Sequence, residues 1–441
     1  TLELVSEDHD GAALTGSLAL AAVEGVSDFV NAGLAVDLIG NYTLQDSISS
    51  PVQASCLSFA FVIRPGLAVS MRFITQPSGS TGGLPFSTMP VVVLQDAGGN
   101  NCINQDSGVA VALSVESGPG QLCSSLNNSI VCNTTVVCSD GVADFGQSDL
   151  LLDTQGNYTL TANAQVSSGS TLAVSSQTVI VAVGQARYLH MTRDVGGDSE
   201  HCASGICGGV PFDVQPVVTV TDAGNNTAES FEDSVVMAVS PDNRHIASVK
   251  AVAGVASFNH VAINETGSYI LQASSLSRIQ SVNTSRFTVT AGLAHGLAFT
   301  TQPEGSTGGL RLPVQPVVTL YDAGGNEATF VTYEVLLTLT TMSGALTVSA
   351  NKTGYAVFSD LVVNKTGHYT MNARIISPLN AIAVPTVNSS EFTVIAGPAV
   401  SMSFIRQPAD STGGTVLSTQ PSVTLYDAGG NEADSNNTVT L

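Results

Sequence analysis

The sequence predicts an all-β protein made of tandem β-sandwich domains, and three observations lead to this prediction. A unit of one strand and one tight turn recurs four times along the 441 residues. A set of landmark residues returns in fixed order with a spacing of about 105 to 118 residues, which suits a self-contained sandwich better than a solenoid repeat. The composition combines few charges with many β-branched residues, which favours strands over helices or disorder.

The repeated unit is clearest in Val317–Asn326, which reads Val-Val-Thr-Leu-Tyr-Asp-Ala-Gly-Gly-Asn. In every copy the second and fourth residues of the run before the Asp are apolar, and this period of two predicts a half-buried strand. The Asp, Gly and Asn residues that follow predict a tight turn, because Asp can bond to its own backbone and Gly and Asn tolerate positive φ. We expect the Asp to shape the turn; a role as calcium ligand is the alternative. The four turns are Asp96–Asn100, Asp222–Asn226, Asp322–Asn326 and Asp427–Asn431.

Three further landmarks accompany the turn: a junction glycine before it, then Gly-x-x-x-Phe, then Gly-x-Tyr leading into a strand. The junction glycines are Gly66, Gly184, Gly292 and Gly397; the second motif is at Gly25/Phe29, Gly141/Phe145, Gly254/Phe258 and Gly354/Phe358; the third is at Gly40/Tyr42, Gly156/Tyr158, Gly267/Tyr269 and Gly367/Tyr369. The late position of Gly-x-Tyr resembles the tyrosine corner of immunoglobulin-like sandwiches, although Trp is absent. That resemblance implies about seven strands per repeat.

The order of landmarks predicts three complete domains and two partial ones. The complete domains are 66–183, 184–291 and 292–396, while 1–65 is the back part of a domain and 397–441 the front part of another. We expect the sequence to be a window from a longer array; in the alternative, the two parts complete each other between neighbouring molecules. Last and first strands are expected to join through one or two residues, which predicts a semi-rigid rod of roughly 150–180 Å.

The charge balance narrows the classes of partner. Thirteen Lys and Arg residues stand against 35 Asp and Glu, which gives a net charge of −22. Such a chain is repelled by nucleic acid and by anionic membrane surfaces, so we expect no nucleic-acid partner. No apolar run approaches the roughly 18 residues of a spanning helix, so we also expect no membrane span in these residues.

Asn-x-Ser/Thr triplets predict N-glycosylation and therefore a secreted protein. The eleven acceptor asparagines are Asn41, Asn127, Asn133, Asn157, Asn225, Asn264, Asn283, Asn351, Asn364, Asn388 and Asn436. Four of them lie at the Gly-x-Tyr motifs: Asn41 and Asn157 just before the Tyr, Asn264 and Asn364 just upstream of the Gly. Two different positions in one loop indicate that a sugar is selected at that corner, whereas in the alternative these are ordinary turn asparagines.

The seven cysteines are expected to form local disulfides in an oxidising compartment. Cys102, Cys123, Cys132 and Cys138 allow three pairings, of which we prefer Cys123–Cys132 with Cys102–Cys138. Cys202 and Cys207 occupy the position of a Gly-Ser-Thr-Gly-Gly loop in the other repeats and are expected to pair with each other. Cys56 is left over, for a partner upstream or in a neighbouring molecule.

Evidence for a metal site or for catalysis is weak. Asp194, Asp198 and His201 beside the cysteine loop, and Glu7, Asp8, His9 and Asp10 near the start, are potential metal ligands without a firm spacing. No recurring nucleophile, paired carboxylate or nucleotide fingerprint is found, so we expect no enzyme and no cofactor beyond covalent glycans. Calcium at the domain joints is a further hypothesis, prompted by the acidic charge.

The amino-acid sequence of the repeats resembles that of mastigoneme proteins, the subunits of flagellar hairs. Phe299-Thr300-Thr301-Gln302-Pro303-Glu304-Gly305-Ser306-Thr307-Gly308-Gly309, then Gln315-Pro316-Val317-Val318-Thr319 and the Asp-Ala-Gly-Gly-Asn turn carry the resemblance. It covers 73–100, 299–326 and 404–431, and it departs in the repeat at Arg193-Asp194, which has cysteines instead. Fibrocystin-like and polycystin-related ectodomains contain similar sequences, and bacterial intimin-type domains share a comparable turn.

This resemblance implies a structural segment of an extracellular glycoprotein filament on a cilium or flagellum. Its partners would be copies of itself, with another extracellular filament or an anchoring membrane protein as further partners. The alternative is the stalk of an adhesin or receptor ectodomain that binds a cell-surface ligand.

Overall fold

The protein is all-β. The computed structural model describes residues 1–6, 11–48, 53–103, 108–126, 129–132, 134–197, 200, 202–277, 279–339, 345–350, 354–377 and 384–440. Among these described residues there is no α-helix, and hence none long and apolar enough to span a bilayer.

Thirty-nine strands follow one another along the described parts of the chain. The first segment contains β1 (Leu2–Ser6), β2 (Leu14–Thr15), β3 (Ala35–Val36), β4 (Gly40–Ile48), β5 (Ala54–Leu57) and β6 (Phe61–Ile63). The next contains β7 (Ser70–Thr75), β8 (Ser80–Thr81), β9 (Val91–Gln95), β10 (Ala110–Ser117), β11 (Leu122–Leu126), β12 (Ser129–Val131), β13 (Thr134–Val137), β14 (Val142–Asp144), β15 (Leu150–Leu152), β16 (Gly156–Gln165), β17 (Thr171–Ser175) and β18 (Val179–Ala182).

The remaining strands lie in three further segments. The first has β19 (Tyr188–Arg193), β20 (Val217–Thr221), β21 (Ser234–Val239), β22 (Arg244–Lys250), β23 (Val255–Ser257), β24 (Gly267–Tyr269), β25 (Leu271–Ser275), β26 (Val282–Asn283) and β27 (Phe287–Val289). The second has β28 (Gly296–Thr301), β29 (Ser306–Thr307), β30 (Val317–Tyr321), β31 (Tyr333–Leu339), β32 (Ala345–Ala350), β33 (Tyr355–Val357), β34 (Gly367–Tyr369), β35 (Met371–Ser377), β36 (Val387–Asn388) and β37 (Phe392–Ile395). The last has β38 (Ser401–Arg406) and β39 (Ser422–Tyr426).

One plan recurs in the three central segments. A three-stranded sheet, with order β14-β9-β7, β19-β20-β23 or β28-β30-β33, faces a second layer. That layer is built on β13-β10-β16-β17, β22-β21-β25-β26 or β32-β31-β35-β36. Each segment has more elements than the seven expected, because several strands have only two or three residues and the strand that carries the tyrosine is interrupted in two segments, as β24 and β25 and as β34 and β35.

Three separate hydrophobic cores fill these sandwiches, and they span 68–181, 189–289 and 294–394. The apolar residues of the repeated strand lie in these cores: Val318 and Leu320 of β30 are fully buried, as are their equivalents in β9 and β20. The predicted burial of the alternate residues is confirmed in these three copies. The strands are more deeply buried than a half-buried strand, because Val93 of β9 and Thr319 of β30 are buried as well, whereas all residues of β39 are only partly buried. The domain limits inferred from the landmarks stay predictions.

The Gly-x-x-x-Phe motif fastens the repeated strand to its neighbour. Gly354 adopts a φ of +76°, which favours glycine, and its carbonyl accepts a hydrogen bond from the Leu320 backbone N–H. Phe358 is then fully buried. Gly141 and Gly254 hold Leu94 and Val220 in the same way.

The joints between sandwiches differ from the prediction of one or two linking residues. Consecutive sandwiches are connected by residues outside the strand ladders, namely 64–69, 183–187, 290–295 and 396–400. These five or six residues are nevertheless bonded to the following sandwich: Arg187 and His295, for example, donate their backbone N–H groups to the carbonyls of Thr221 and Tyr321. Each linker is therefore longer than expected, but residues in it are fixed by hydrogen bonds from their backbone N–H groups to the following sandwich.

Candidate functional site

The tyrosine of each Gly-x-Tyr motif forms a tyrosine corner. Its hydroxyl donates a hydrogen bond to the backbone carbonyl four residues upstream. The four bonds are Tyr42 to Leu38 at 3.0 Å, Tyr158 to Thr154 at 2.6 Å, Tyr269 to Glu265 at 3.0 Å and Tyr369 to Lys365 at 2.8 Å. Together with the two-layered sheets this geometry identifies the fold. The chain is a series of immunoglobulin-like sandwiches.

The aspartate of each Asp-Ala-Gly-Gly-Asn turn organises the turn, as predicted. In the third copy, Asp322 Oδ1 accepts backbone N–H bonds from Gly324 at 2.9 Å and Asn326 at 2.8 Å. Its Oδ2 accepts the backbone N–H of the junction glycine Gly292 at 3.0 Å. The carboxylate thus fixes both the turn and the linker that enters the sandwich.

The asparagine that ends the turn reaches across to the preceding sandwich. Asn326 Nδ2 donates to the backbone carbonyl of Asn264 at 2.6 Å, and its Oδ1 accepts the backbone N–H of Thr266 at 3.1 Å. Nδ2 also donates to both carboxylate oxygens of Asp322 at 3.0 Å. Because Asn264 and Thr266 flank the residue that holds the Tyr269 hydroxyl, the tyrosine corner presents these backbone groups to the next sandwich.

The same arrangement occurs at all four joints, and we call it the clasp: the turn Asp and Asn, the junction glycine, and the backbone of the preceding tyrosine corner. Asn100 bonds to Asp37 and Ile39, Asn226 to Asp153 and Gln155, and Asn431 to Asn364 and Thr366, with cross-joint distances of 2.6–3.2 Å. The junction glycines Gly66, Gly184 and Gly397 bond to Asp96, Asp222 and Asp427 at 2.8–3.0 Å.

Paired glycines let the two sandwiches approach closely at three of the joints. Gly308-Gly309 packs against Ala428 and Asn431 of the following turn, and a Cβ on Gly308 would overlap the Asn431 amide. Gly82-Gly83 and Gly208-Gly209 make the equivalent contacts. The clasp is therefore dense, and a larger side chain on either glycine would push the sandwiches apart.

Sequence reasoning missed this role of the turn asparagine and of the glycine pair. The sequence predicts only a turn role for this Asn, which it also has, because nothing local shows that its amide faces another domain. A signal was present: Asn ends all four turns, and Gly208-Gly209 is kept although cysteines replace the residues before it.

Two disulfides are present in the described residues, Cys123–Cys132 and Cys202–Cys207. The second lies at a joint, since Cys207 pairs with Thr290 in an isolated bridge and precedes the Gly208-Gly209 pair. Cys102 and Cys138 are both buried in one core, and their pairing stays a prediction. Cys56 is exposed on β5.

The acceptor asparagines that the structure describes all expose their side chains: Asn41, Asn157, Asn225, Asn264, Asn283, Asn364, Asn388 and Asn436. Asn127, Asn133 and Asn351 lie outside the described residues. At the clasp only the backbone carbonyl of Asn264 or Asn364 is used, so each side chain is left accessible to a glycan. Glycosylation of these residues stays a prediction.

The part of the chain that the structure describes contains no assembled metal site. No group of three or more His, Cys, Asp or Glu residues is arranged there to hold an ion. Of the potential ligands, Asp194 instead accepts the backbone N–H of Ser285 at 2.8 Å, while Glu7, Asp8, His9, Asp10, Asp198 and His201 lie outside the described residues. Calcium at the clasp would compete with hydrogen bonds to both oxygens of each aspartate.

Because of the clasp, the stability of the fold should decrease when the pH is lowered into the acid range. Desolvation acts to raise the pKa of the buried Asp427, but hydrogen bonds from Asn431, Gly397 and Gly429 outweigh it and lower that pKa to about 2. Desolvation likewise acts to raise the pKa of Asp96, and bonds from Gly66, Asn100 and Gly98 give a net lowering. A carboxyl with a lowered folded-state pKa stabilises the fold above its unfolded pKa, and this contribution is lost as protons bind on acidification.

We therefore expect the thermal unfolding midpoint to be insensitive to these groups above about pH 5 and to fall progressively between about pH 4 and pH 2. Calorimetry at several pH values would measure it. An Asp96→Asn variant, which cannot titrate at this position, should show a shallower fall. An identical slope in the variant would contradict the assignment to Asp96.

Comparisons with known proteins find only distant similarity. No protein-family model matches the sequence, and the search of curated proteins gave no match either. Among solved structures, the chicken CNTN1 FN1–FN3 domains are 9% identical with a TM-score of 0.29, covering 75% of this chain and 99% of that one. The three N-terminal domains of the bacteriophage RB49 Highly Immunogenic Outer Capsid protein are 12% identical with a TM-score of 0.24, covering 75% and 99%. The D0–D1 domain of intimin is 16% identical with a TM-score of 0.18, covering 45% and 98%. Similarity this low assigns no function.

Proposed function

We propose that this chain is a stiff structural segment of an extracellular glycoprotein, and more specifically a segment of a self-assembling filament that resembles flagellar hairs. The clasp is the observation that carries the proposal. It occurs with the same atoms at four successive joints, and each joint gains hydrogen bonds on both edges of one asparagine amide. A joint with these bonds and few free linker residues resists bending.

The location is supported by the covalent chemistry. The two disulfides favour an oxidising compartment, and the exposed acceptor asparagines favour passage through the secretory pathway. The proposal includes copies of the same chain as partners, on the surface of a cilium or flagellum. It includes no catalysis, no metal and no nucleic acid.

The stalk of an adhesin or receptor is the second candidate, because stiff joints suit a stalk that presents a ligand-binding domain equally well. Electron microscopy of the native protein, located on cells with an antibody, separates the two. Ordered fibres built from the chain support the filament, whereas solitary stalks overturn it and support the second candidate. Glycopeptide mass spectrometry of the same material tests the compartment. Unmodified Asn41, Asn157, Asn264 and Asn364 would contradict a glycan at the corner.

A further inference from the structure

The linker 290–295 joins the second and third of the central sandwiches, and it has more contacts than the linker 183–187 between the first and second. In both linkers the junction glycine donates its N–H to the turn aspartate, and the last residue donates its N–H to the next sandwich. The linker 290–295 has three further contacts, which we call anchors: a buried tyrosine, a pair of side-chain hydrogen bonds and a disulfide. A residue held by such a contact cannot change its φ and ψ without breaking it, so each anchor stiffens the joint.

The first anchor is a buried tyrosine of the third sandwich. Tyr333 begins β31 and is fully buried, and its hydroxyl oxygen accepts the backbone N–H of Ala294 at 2.7 Å. The equivalent residues of the other two central sandwiches are Val109, which has no polar side-chain group, and Asp233, which bonds within its own sandwich. In the described part of the chain, no side chain accepts the N–H of Ala186, which is the equivalent of Ala294 in the linker before the second sandwich.

The second anchor lies at the start of the linker. Ser204, in the disulfide loop of the second sandwich, donates its backbone N–H to Thr290 Oγ1 at 3.2 Å, and the hydroxyl oxygens of the two residues are 3.0 Å apart. The residues at the same distance before the other junction glycines are Ala182 and Ile395, which have no hydroxyl. The preceding sandwich therefore holds Thr290 through its side chain, which neither Ala182 nor Ile395 permits.

The third anchor is the Cys202–Cys207 disulfide. A Cβ added to the junction glycine Gly292 would lie 3.3 Å from Cys207 Cβ. Thr81 and Thr307 occupy this place at the neighbouring joints, where they lie 3.4 and 3.3 Å from a Cβ on their own junction glycines. Cys207 thus replaces a threonine, but the disulfide also ties it to a residue five positions earlier. The side chain that packs on Gly292 cannot move without the whole loop.

These anchors leave few places at which the joint can bend. Within the described linker 290–295, Ala291 and Leu293 are the residues without a hydrogen bond, and a bonded residue separates them. In the linker 183–187, Gln185 and Ala186 stand side by side without such bonds. Adjacent free residues can share a change in φ and ψ, as a hinge requires, whereas isolated ones between fixed neighbours cannot.

We infer that the second and third central sandwiches move as one stiff body, and that the chain bends more readily between the first and second. The clasp is present at both joints, so the difference in stiffness comes from the three anchors. This inference rests on the stiff structural segment proposed above and adds that its stiffness is uneven along the chain.

Distances between spin labels test the inference on the full, unsubstituted joints. One pair of labels spans 183–187 and another spans 290–295, at equivalent exposed positions and with a labelling chemistry that leaves cysteines unmodified. We expect the distance distribution across 290–295 to be the narrower of the two. Two equally narrow distributions would overturn the inference and leave the stiff segment standing. Two equally broad ones would refute the stiff segment as well.

Tyr333→Phe tests the first anchor. The variant leaves the buried Ala294 N–H without an acceptor in the closed joint, whereas water reaches this group when the joint opens. We expect the population of open conformations at 290–295 to rise about fivefold or more. Tyr355→Phe is the matched control, because it removes a hydroxyl from an exposed tyrosine on β33 of the same sandwich. The control should keep the distribution of the parent chain.

Cys202→Ala combined with Cys207→Thr tests the third anchor, because it removes the disulfide and installs the threonine found at the neighbouring joints. The distribution across 290–295 should broaden, while that across 183–187 should stay as it is. If neither this variant nor Tyr333→Phe broadened the distribution, the anchors would not set the stiffness of the joint and the inference would be wrong. Should a variant fail to fold, the two widths in the unsubstituted chain still decide the question.

Discussion

Replacing Asn326 by alanine is expected to loosen the joint between the two sandwiches whose cores span 189–289 and 294–394, while both stay folded. The variant loses the cross-joint bonds to the Asn264 carbonyl and the Thr266 N–H. At about 0.5–1.5 kcal/mol net for each bond, the closed joint is destabilised by roughly 1–3 kcal/mol. Such a change multiplies the population of open joints by about 5 to 150.

Distances between two spin labels, one on each sandwich, measure this effect as a broadened distribution. Glu327→Ala is the matched control, because Glu327 follows Asn326 on the same turn and its side chain is exposed. The control should keep the narrow distribution of the parent chain. An Asn326→Ala chain with an equally narrow distribution would show that the linker alone sets the angle of the joint.

Replacing Gly324 by alanine is expected to have the larger effect. A Cβ at this position would overlap the Asn264 carbonyl oxygen and the backbone of Gly208, both in the preceding sandwich. These are backbone atoms that cannot rotate away, so the sandwiches must separate, at a cost of about 1–3 kcal/mol or more. The clasp bonds of Asn326 would be lost with the contact.

The adjacent Gly325 supplies an unusually close control. Gly325 has a φ of +84°, and a Cβ added to it would have no atom within 4 Å. Alanine at this position therefore strains the backbone without touching the other sandwich. Gly325→Ala should lower the unfolding midpoint of its own sandwich through about 1–2 kcal/mol of backbone strain and leave the spin-label distances unchanged. If both variants broadened the distances alike, the effect would come from the turn and not from the joint.

The architecture follows from the sequence because its determinants are local. The period of two in Val318 and Leu320 and the position of Tyr269 after Gly267 each reflect a preference of a few neighbouring residues. The two disulfides also join cysteines that lie close in the sequence, nine and five residues apart.

The clasp could not be derived in the same way, because its partners are about 60 residues apart and its acceptor groups belong to the backbone. A backbone carbonyl leaves no trace in the sequence, so Asn264 carries an evident glycosylation signal and no sign of its bond to Asn326. The linkers differ from the prediction for a related reason. Their residues look like strand, and only the structure shows that 290–295 lies outside the ladders while still bonded to the next sandwich.

The backbone of the preceding tyrosine corner, to which the turn asparagine bonds, has a consequence for how such an array can grow. The groups that bond to the turn asparagine are main-chain groups that a tyrosine corner of this type exposes, whether the local residues are Asp153 and Gln155 or Asn364 and Thr366. Side chains of the preceding sandwich add to the joint locally, as Lys365 Nζ does by donating to the Gly430 carbonyl at 3.1 Å. A newly duplicated sandwich would therefore find the partners of its turn asparagine already in place on the preceding sandwich. Length could change by whole units while the outer surfaces diverged freely.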